Sequence, residues 1–217
     1  MPNNINDFYL PVYVINLKSR TERRKHIEEQ FKGKLEFEVR FIEAIEHSPG
    51  AVGLWKSIVK VVQIALECED DIIIICEDDH TFTSAYSKEY LLTNIIEAGK
   101  QESELLSGGI GGFGTAVPVA GNRYWIDWFW STQFIILFKP LFLKILNYNF
   151  RDSDTADGVL SMVAKNKMTI YPFISVQKDF GYSDVTRSNN ENVGLVDNLF
   201  LHANRRLGMI HYIAHKF

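Results

Sequence analysis

Cysteine is nearly absent: Cys68 and Cys76 are the only two in 217 residues. Two thiols cannot build a disulfide framework, and Cys76 lies in an apolar run, where a buried free thiol is the ordinary state. A stapled secreted scaffold is thereby excluded, and a reducing compartment, the cytoplasm, is expected. No apolar run approaches the roughly 20 residues that a spanning helix needs. The start, "MPNNINDFYLP", has no basic region followed by a long apolar stretch, so no signal peptide is expected. Excess positive charge is also lacking. A formal net charge of −4 gives no general attraction to nucleic acid. Only the end is basic: from His202 to Phe217 stand Arg205, Arg206, Lys216 and three histidines, with no acid. A basic helix around 197–217 suits plain solvation or peripheral contact with an anionic surface such as the inner membrane.

Hydrophobic residues make up 46% of the chain, enough for one substantial domain over 1–217 without staples. Neither an internal repeat nor a low-complexity linker divides it. "FYLPVYVINL" (8–17) reads as a strand covered on both faces. Ser19 and Glu22 have capping-box spacing, which predicts a helix from near Arg20, lying on the surface. Leu35, Phe37, Val39 and Phe41 alternate with Glu36, Glu38 and Arg40, the period of a second strand with one wetter face. Ser48 as N-cap and Pro49 at the first helical position open a helix to about Glu67. Ile72 to Cys76 is the third strand. Strand, helix, strand, helix, strand implies an α/β sheet with right-handed crossovers. Ligands of such sheets bind at the carboxyl ends of the strands, here Asn16–Arg20 and Glu77–His80.

The second half is less regular. A helix is expected over "SKEYLLTNIIEAGKQE", a strand from Gln133 to Phe138 with a helix from Pro140, a short helix in "TADGVLSMVAKNK", and a last strand in "MTIYPFISVQ". Gly109, Gly111 and Gly114 have G-x-G-x-x-G spacing. However, "TAVPVAGNRYW" follows with no helical period, so a dinucleotide fingerprint is excluded and a flexible loop or strand–turn segment is expected.

Chemistry concentrates after the third strand, at Glu77, Asp78 and Asp79. Three carboxylates in a row repel one another unless a cation sits among them. Glu77 and Asp79, two residues apart in extended chain, point to the same side. Hard cations such as Mg²⁺ or Mn²⁺ take carboxylate oxygens and complete their shell with water and substrate phosphates. His80 is expected to be a surface bystander. Arg20, at a helix start where backbone N–H groups already favour anions, suits a phosphate, while Arg23 and Arg24 are expected in solvent. Trp125, Trp128 and Trp130 read as core or as the lining of a sugar site.

"VYVINLKSRTERR", "PGAVGLWKSIVKVVQIALE" and "IIIICEDDHTF" together resemble glycosyltransferase family 25, the lipopolysaccharide and collagen sugar transferases, over roughly residues 10 to 85. "STQFIILFKPLFLKIL", "TADGVL" and "QKDFGYSDV" are similar to later, weaker motifs of that family. Gly53-Leu54 and Lys56-Ser57 stand where it usually has Gly-Cys and Ser-His, which marks a divergent member. The resemblance implies a nucleotide-diphospho-sugar transferase fold: a single Rossmann-like domain with a mixed, mostly parallel central sheet. It implies a metal-dependent, inverting hexosyltransferase using a nucleotide-sugar donor such as a UDP-sugar. The acceptor would be a glycan or lipid-linked glycan in bacterial surface polysaccharide or lipopolysaccharide synthesis. Asn16, Arg20, Glu77 and Asp78 would border the donor. Asp79 and Glu77 would hold Mn²⁺ or Mg²⁺. Asp157 would be the base, and Asp184 second to it. The rivals are a metal-dependent phosphohydrolase and a non-catalytic nucleotide- or glycan-binding relative.

Overall fold

The apolar run of the first strand becomes β1 (Leu10–Asn16), buried along nearly its whole length. A computed structural model describes residues 9–181 and 194–216. Within them α1 (Thr21–Phe31), β2 (Phe37–Glu43), α2 (Gly50–Glu67) and β3 (Ile72–Glu77) follow in the expected alternation. Next come β4 (His80–Phe82), α3 (Lys88–Lys100), β5 (Leu105–Ser107), β6 (Ala116–Ala120), β7 (Arg123–Ile126) and β8 (Phe134–Phe138). A 3₁₀ turn at Lys139–Leu141 leads into α4 (Phe142–Leu146), and then α5 (Ala156–Val163), β9 (Lys167–Ile170), β10 (Ser175–Gln177) and α6 (Leu195–Ala214) complete the chain.

Eight strands form one sheet in the order β2-β1-β3-β8-β5-β9-β7-β6, and β4 pairs with β10 in a small second sheet. β1 runs parallel to β2 and β3, and β5 parallel to β9. β8 is antiparallel to β3 and β5, and β7 to β9 and β6. Six strands therefore point one way and only β7 and β8 the other, a mixed, mostly parallel sheet of the expected class.

Both faces of the sheet are covered, as its apolar strands require. Along β3, Ile73 and Ile75 belong to one buried cluster with Trp55, Ile58 and Val62 of α2, Leu160 of α5 and Leu207 of α6. Ile74 and Cys76 point the other way, among Ile27 and Phe31 of α1 and Leu91, Ile95 and Ala98 of α3. Each fully buried isoleucine contributes about 1.5–3 kcal/mol of transfer free energy, which is why this run occupies the centre.

Local signals held less well at helix starts. The N-cap of α1 is Arg20 with no side-chain cap bond, so the Ser19–Glu22 capping box does not form. The N-cap of α2 is Pro49, one residue later than the Ser48 cap expected. Ser87 does cap α3, accepting the Tyr90 N–H. The expected last strand is two strands, β9 and β10, because Pro172 between them has no N–H for a ladder. The glycine-rich segment is not a loose loop: Gly108 to Phe113 are all buried. Among the described residues no helix is long and apolar enough to cross a membrane.

Candidate functional site

β1 and β3 lie side by side and parallel, with Ile15 opposite Glu77. Their carboxyl ends therefore open on the same edge of the sheet. A cavity of about 760 Å³ lies there, walled by Arg20 before α1 and Arg23 in its first turn, His47 before α2 and Gly50 at its start, and Glu77, Asp78 and Asp79. Its far wall is Trp130, Ser131 and Thr132 before β8, Asp157 in the first turn of α5, and Leu195 and Leu199 of α6.

The three acids have three different surroundings. Asp78 is buried, its Oδ2 accepting from Asn16 Nδ2 at 2.8 Å and its Oδ1 from Arg23 Nη1 at 3.1 Å. Asp79 is also buried; its Oδ2 accepts from Arg23 Nη1 at 3.2 Å and Gln177 Nε2 at 3.0 Å, while its Oδ1 has no hydrogen-bond partner among the described residues. Glu77 is half-buried at the wall, and Thr132 Oγ1 donates to its Oε1 at 2.6 Å. Burial, then the Asp79 charge, pushes the Glu77 carboxyl up to about 8, with Asp157 adding to the effect. Burial and Asp78 push Asp79 up to about 6 against the opposing pull of Arg23. The Arg23 guanidinium thus offsets only part of the negative charge gathered here.

That deficit is the fit test for a cation. Among the described residues no three metal-ligating side chains converge into a closed cage. Glu77 and Asp79 offer one carboxylate each, and Asp79 Oδ1 is a buried acceptor that no described group satisfies. Two carboxylates suit an ion that keeps water and phosphate oxygens as its remaining ligands.

Asp157 is tightly held. Its Oδ1 accepts from Thr155 Oγ1 at 2.6 Å and the Gly158 N–H at 2.8 Å, and its Oδ2 from the Ser131 N–H at 3.1 Å. Ser131 has φ 83°, a left-handed backbone unusual for a residue with a Cβ, so Asp157 clamps a strained turn beside the acids.

The structure thus brings Asn16, Arg20, Glu77, Asp78, Asp79 and Asp157 to one edge; Asp184 lies outside the described residues. Arg23 corrects the sequence reading. Expected in solvent, it is 4% exposed, because the first turn of α1 faces the end of β3 and turns that side chain onto two carboxylates. Its i, i+4 neighbour Ile27, buried on the same face of α1, was the available signal. Arg24 keeps contact with solvent, bonding Glu28 and lying over the Phe41 ring. His80 is no surface residue either: it is fully buried, stacked on Phe134, with Nδ1 2.7 Å from Ser175 Oγ. Gln177 and Thr132, which hold Asp79 and Glu77, had no signal in the sequence, since both arrive from segments distant in the chain.

No curated protein sequence matches the chain. The solved structure described as A197 from STIV is similar in fold, with a TM-score of 0.53 at 10% identity over 82% of this chain and 87% of that one. A glycosyltransferase involved in glycosylation of the major capsid of PBCV-1 gives a TM-score of 0.49 at 14% identity, over 84% of this chain and 97% of that one. An apo UDP-glucose pyrophosphorylase gives 0.47 at 11%, over 91% and 82%. The model of glycosyltransferase family 25 (LPS biosynthesis protein) matches residues 9–51, which span β1, α1, β2 and the first two residues of α2. The match covers the first strand–helix–strand unit and ends just before Gly53-Leu54 and Lys56-Ser57.

Proposed function

We propose that this protein is a glycosyltransferase that moves a sugar from a nucleotide-diphosphate sugar, a UDP-sugar first among them, to a glycan or lipid-linked glycan. The observation that carries the reading is the under-neutralised pair Glu77 and Asp79, with the unpartnered Asp79 Oδ1, at the carboxyl edge of a parallel β1–β3 pair. Mn²⁺ or Mg²⁺ held by Asp79 and Glu77 would supply the missing positive charge and stabilise a diphosphate leaving group.

The protein's own residues do the rest. Arg23 and Gln177 hold Asp79 Oδ2 and so fix the direction of Oδ1. Asn16 holds Asp78 against β1. Arg20, at the start of α1, provides a cation beside backbone N–H groups that favour phosphate. Asp157, on the opposite wall and oriented by three donors, accepts the acceptor hydroxyl proton, so the acceptor attacks from the face opposite the leaving group and the configuration inverts. The phosphohydrolase alternative needs Asp78 or Asp79 as nucleophile; both oxygens of Asp78 are taken, which leaves it Asp79. The family description supports a setting in bacterial surface polysaccharide or lipopolysaccharide synthesis.

The test is a thermal-shift screen of UDP-, GDP-, CDP- and CMP-sugars with and without Mn²⁺. Stabilisation by one of them that requires the metal and disappears in Asp79→Ala supports the reading. No shift with any nucleotide sugar overturns it. Metal-dependent phosphate release without transfer would favour a hydrolase.

A further inference from the structure

Tryptophans are large apolar side chains that a fold normally buries, yet two stand in solvent beside this cavity. Trp128 is 36% and Trp130 48% exposed, while Phe129 between them is 1% exposed. In extended chain, alternate residues share a side. Phe129 therefore plugs the core and both indoles face outward together, with ring centroids 5.1 Å apart and planes at 47°. Trp130 also lines the cavity wall, next to Ser131 and Asp157.

The pair is held in place. Trp130 forms an antiparallel bridge with Gly112, its N–H donating to Gly112 O at 3.1 Å and its O accepting from Gly111 N at 2.9 Å. A Cβ on Gly112 would stand 2.6 Å from Trp130 Cε3, so glycine is what lets the indole lie on the backbone. Asp127 Oδ1 accepts three backbone N–H groups, from Gly114, Thr115 and Trp128, at 3.1, 2.9 and 2.8 Å. Arg206 of α6 donates to Phe113 O at 2.7 Å and Gly114 O at 2.9 Å, tying this segment to the helix. Rings held rigid and exposed bind with little further loss of conformational freedom.

We propose that Trp128 and Trp130 form a shelf that binds a saccharide ring, the acceptor sugar of the transfer. The word "acceptor" rests on the glycosyltransferase reading above; the saccharide site does not. Two arguments favour a sugar over the nucleotide base. The shelf precedes β8, which lies on the opposite side of β3 from β1, with Phe134 opposite Cys76. The acids at the end of β3 thus separate it from Asn16 and Arg20, where the nucleotide is placed. Two rings inclined at 47° also make a corner, which fits a puckered ring better than a flat base. The apolar C–H face of a pyranose packs on the indoles, and its hydroxyls reach polar groups of the adjoining wall, Ser131, Thr155 and Asp157.

The test uses the full chain and methyl glycosides of glucose, galactose, mannose and N-acetylglucosamine at millimolar concentration. Binding is read by saturation-transfer NMR and by tryptophan fluorescence. At least one glycoside is expected to bind, about tenfold or more weakly in Trp130→Ala and Trp128→Ala. Trp125→Ala, whose indole on β7 instead donates to Lys165 O before β9, is expected to bind as the parent does. The metal-dependent UDP-sugar shift is expected to persist in Trp130→Ala. No glycoside binding, or binding unchanged in both shelf variants, overturns the proposal. So does loss of the UDP-sugar shift in Trp130→Ala, which would assign the shelf to the donor base. Glycoside binding lost in the shelf variants, with no nucleotide shift in the parent, would keep the saccharide site and sink the transferase reading.

Discussion

Arg23 Nη1 lies 3.2 Å from Asp79 Oδ2 and 3.1 Å from Asp78 Oδ1, and all three side chains are buried. One guanidinium from α1 therefore bridges two consecutive carboxylates at the end of β3. Removing one partner of a buried ion pair strands the other charge, which costs about 3–5 kcal/mol. Arg23→Ala is expected to lose that much in urea unfolding. Arg23→Lys should recover only part of it, because an ammonium is a compact point charge without the planar fork of a guanidinium. Equal stability of Arg23→Ala and the parent would show that the bridge is not made in solution.

The Glu77 carboxyl gives a pH dependence of defined sign. Its native pKa of about 8 is above the ordinary 4.5, so the folded protein holds this proton more tightly than the unfolded chain. The resulting stability is complete below pH 4.5 and is lost as pH rises through about 8. His80 acts in the opposite sense, since burial pushes its imidazole well below 6.5, and its contribution is lost as pH falls below 6.5. Comparison with Glu77→Gln isolates the first effect, because the amide oxygen can still accept from Thr132. Relative to that variant, the metal-free parent should lose melting temperature steadily between pH 5 and pH 8. Parallel curves over that range would refute the raised pKa.

Asp157→Asn separates positioning from proton transfer. The amide has one acceptor oxygen and would turn its NH₂ toward Ser131 N–H or toward the Gly158 N–H and Thr155 hydroxyl, so a cost of about 1–2 kcal/mol is expected. A base contributes typically 10²–10⁴-fold, so transfer should fall by about that factor while the metal-dependent UDP-sugar shift persists. A variant that transfers normally would leave Asp157 with its clamp on Ser131 alone.

The isoleucine run and the alternation of its neighbours made the first half of the sheet legible, because burial on both faces demands long apolar runs. The edge where the acids lie followed from that topology. What was not legible came from far along the chain. β5, β6 and β7 are three to five residues long, too short for a period to emerge, and the pairing of β5 with β8 and β9, of β7 with β9 and of β6 with β7 is set by packing. Gln177 reaches Asp79 across 98 positions and Thr132 reaches Glu77 across 55. Arg23 and His80 were misplaced for one reason: charge and polarity in the sequence suggested solvent, and tertiary contacts on α1 and β4 buried both.

The triplet Glu77-Asp78-Asp79 looks uniform in sequence, but its last two members divide the work. Asp78 has both oxygens engaged, by Asn16 and Arg23, and joins β1, α1 and β3. Asp79 has one oxygen engaged and one open. Asp78→Asn should therefore act on the fold. An amide replaces one acceptor with a donor facing Asn16 or Arg23, and a loss of about 2–4 kcal/mol is expected. Asp79→Asn can keep its carbonyl oxygen toward Arg23 and Gln177 and turn its NH₂ to the open position, where it replaces an unsatisfied anion. Its metal-free stability should stay within about 1 kcal/mol of the parent, or rise, since an uncompensated buried charge is removed. Its response to Mn²⁺ with a UDP-sugar should vanish, because an NH₂ group cannot ligate a cation. Urea titration and thermal shift on the two purified variants decide this, and a pattern with the two roles exchanged would place the metal on Asp78 instead.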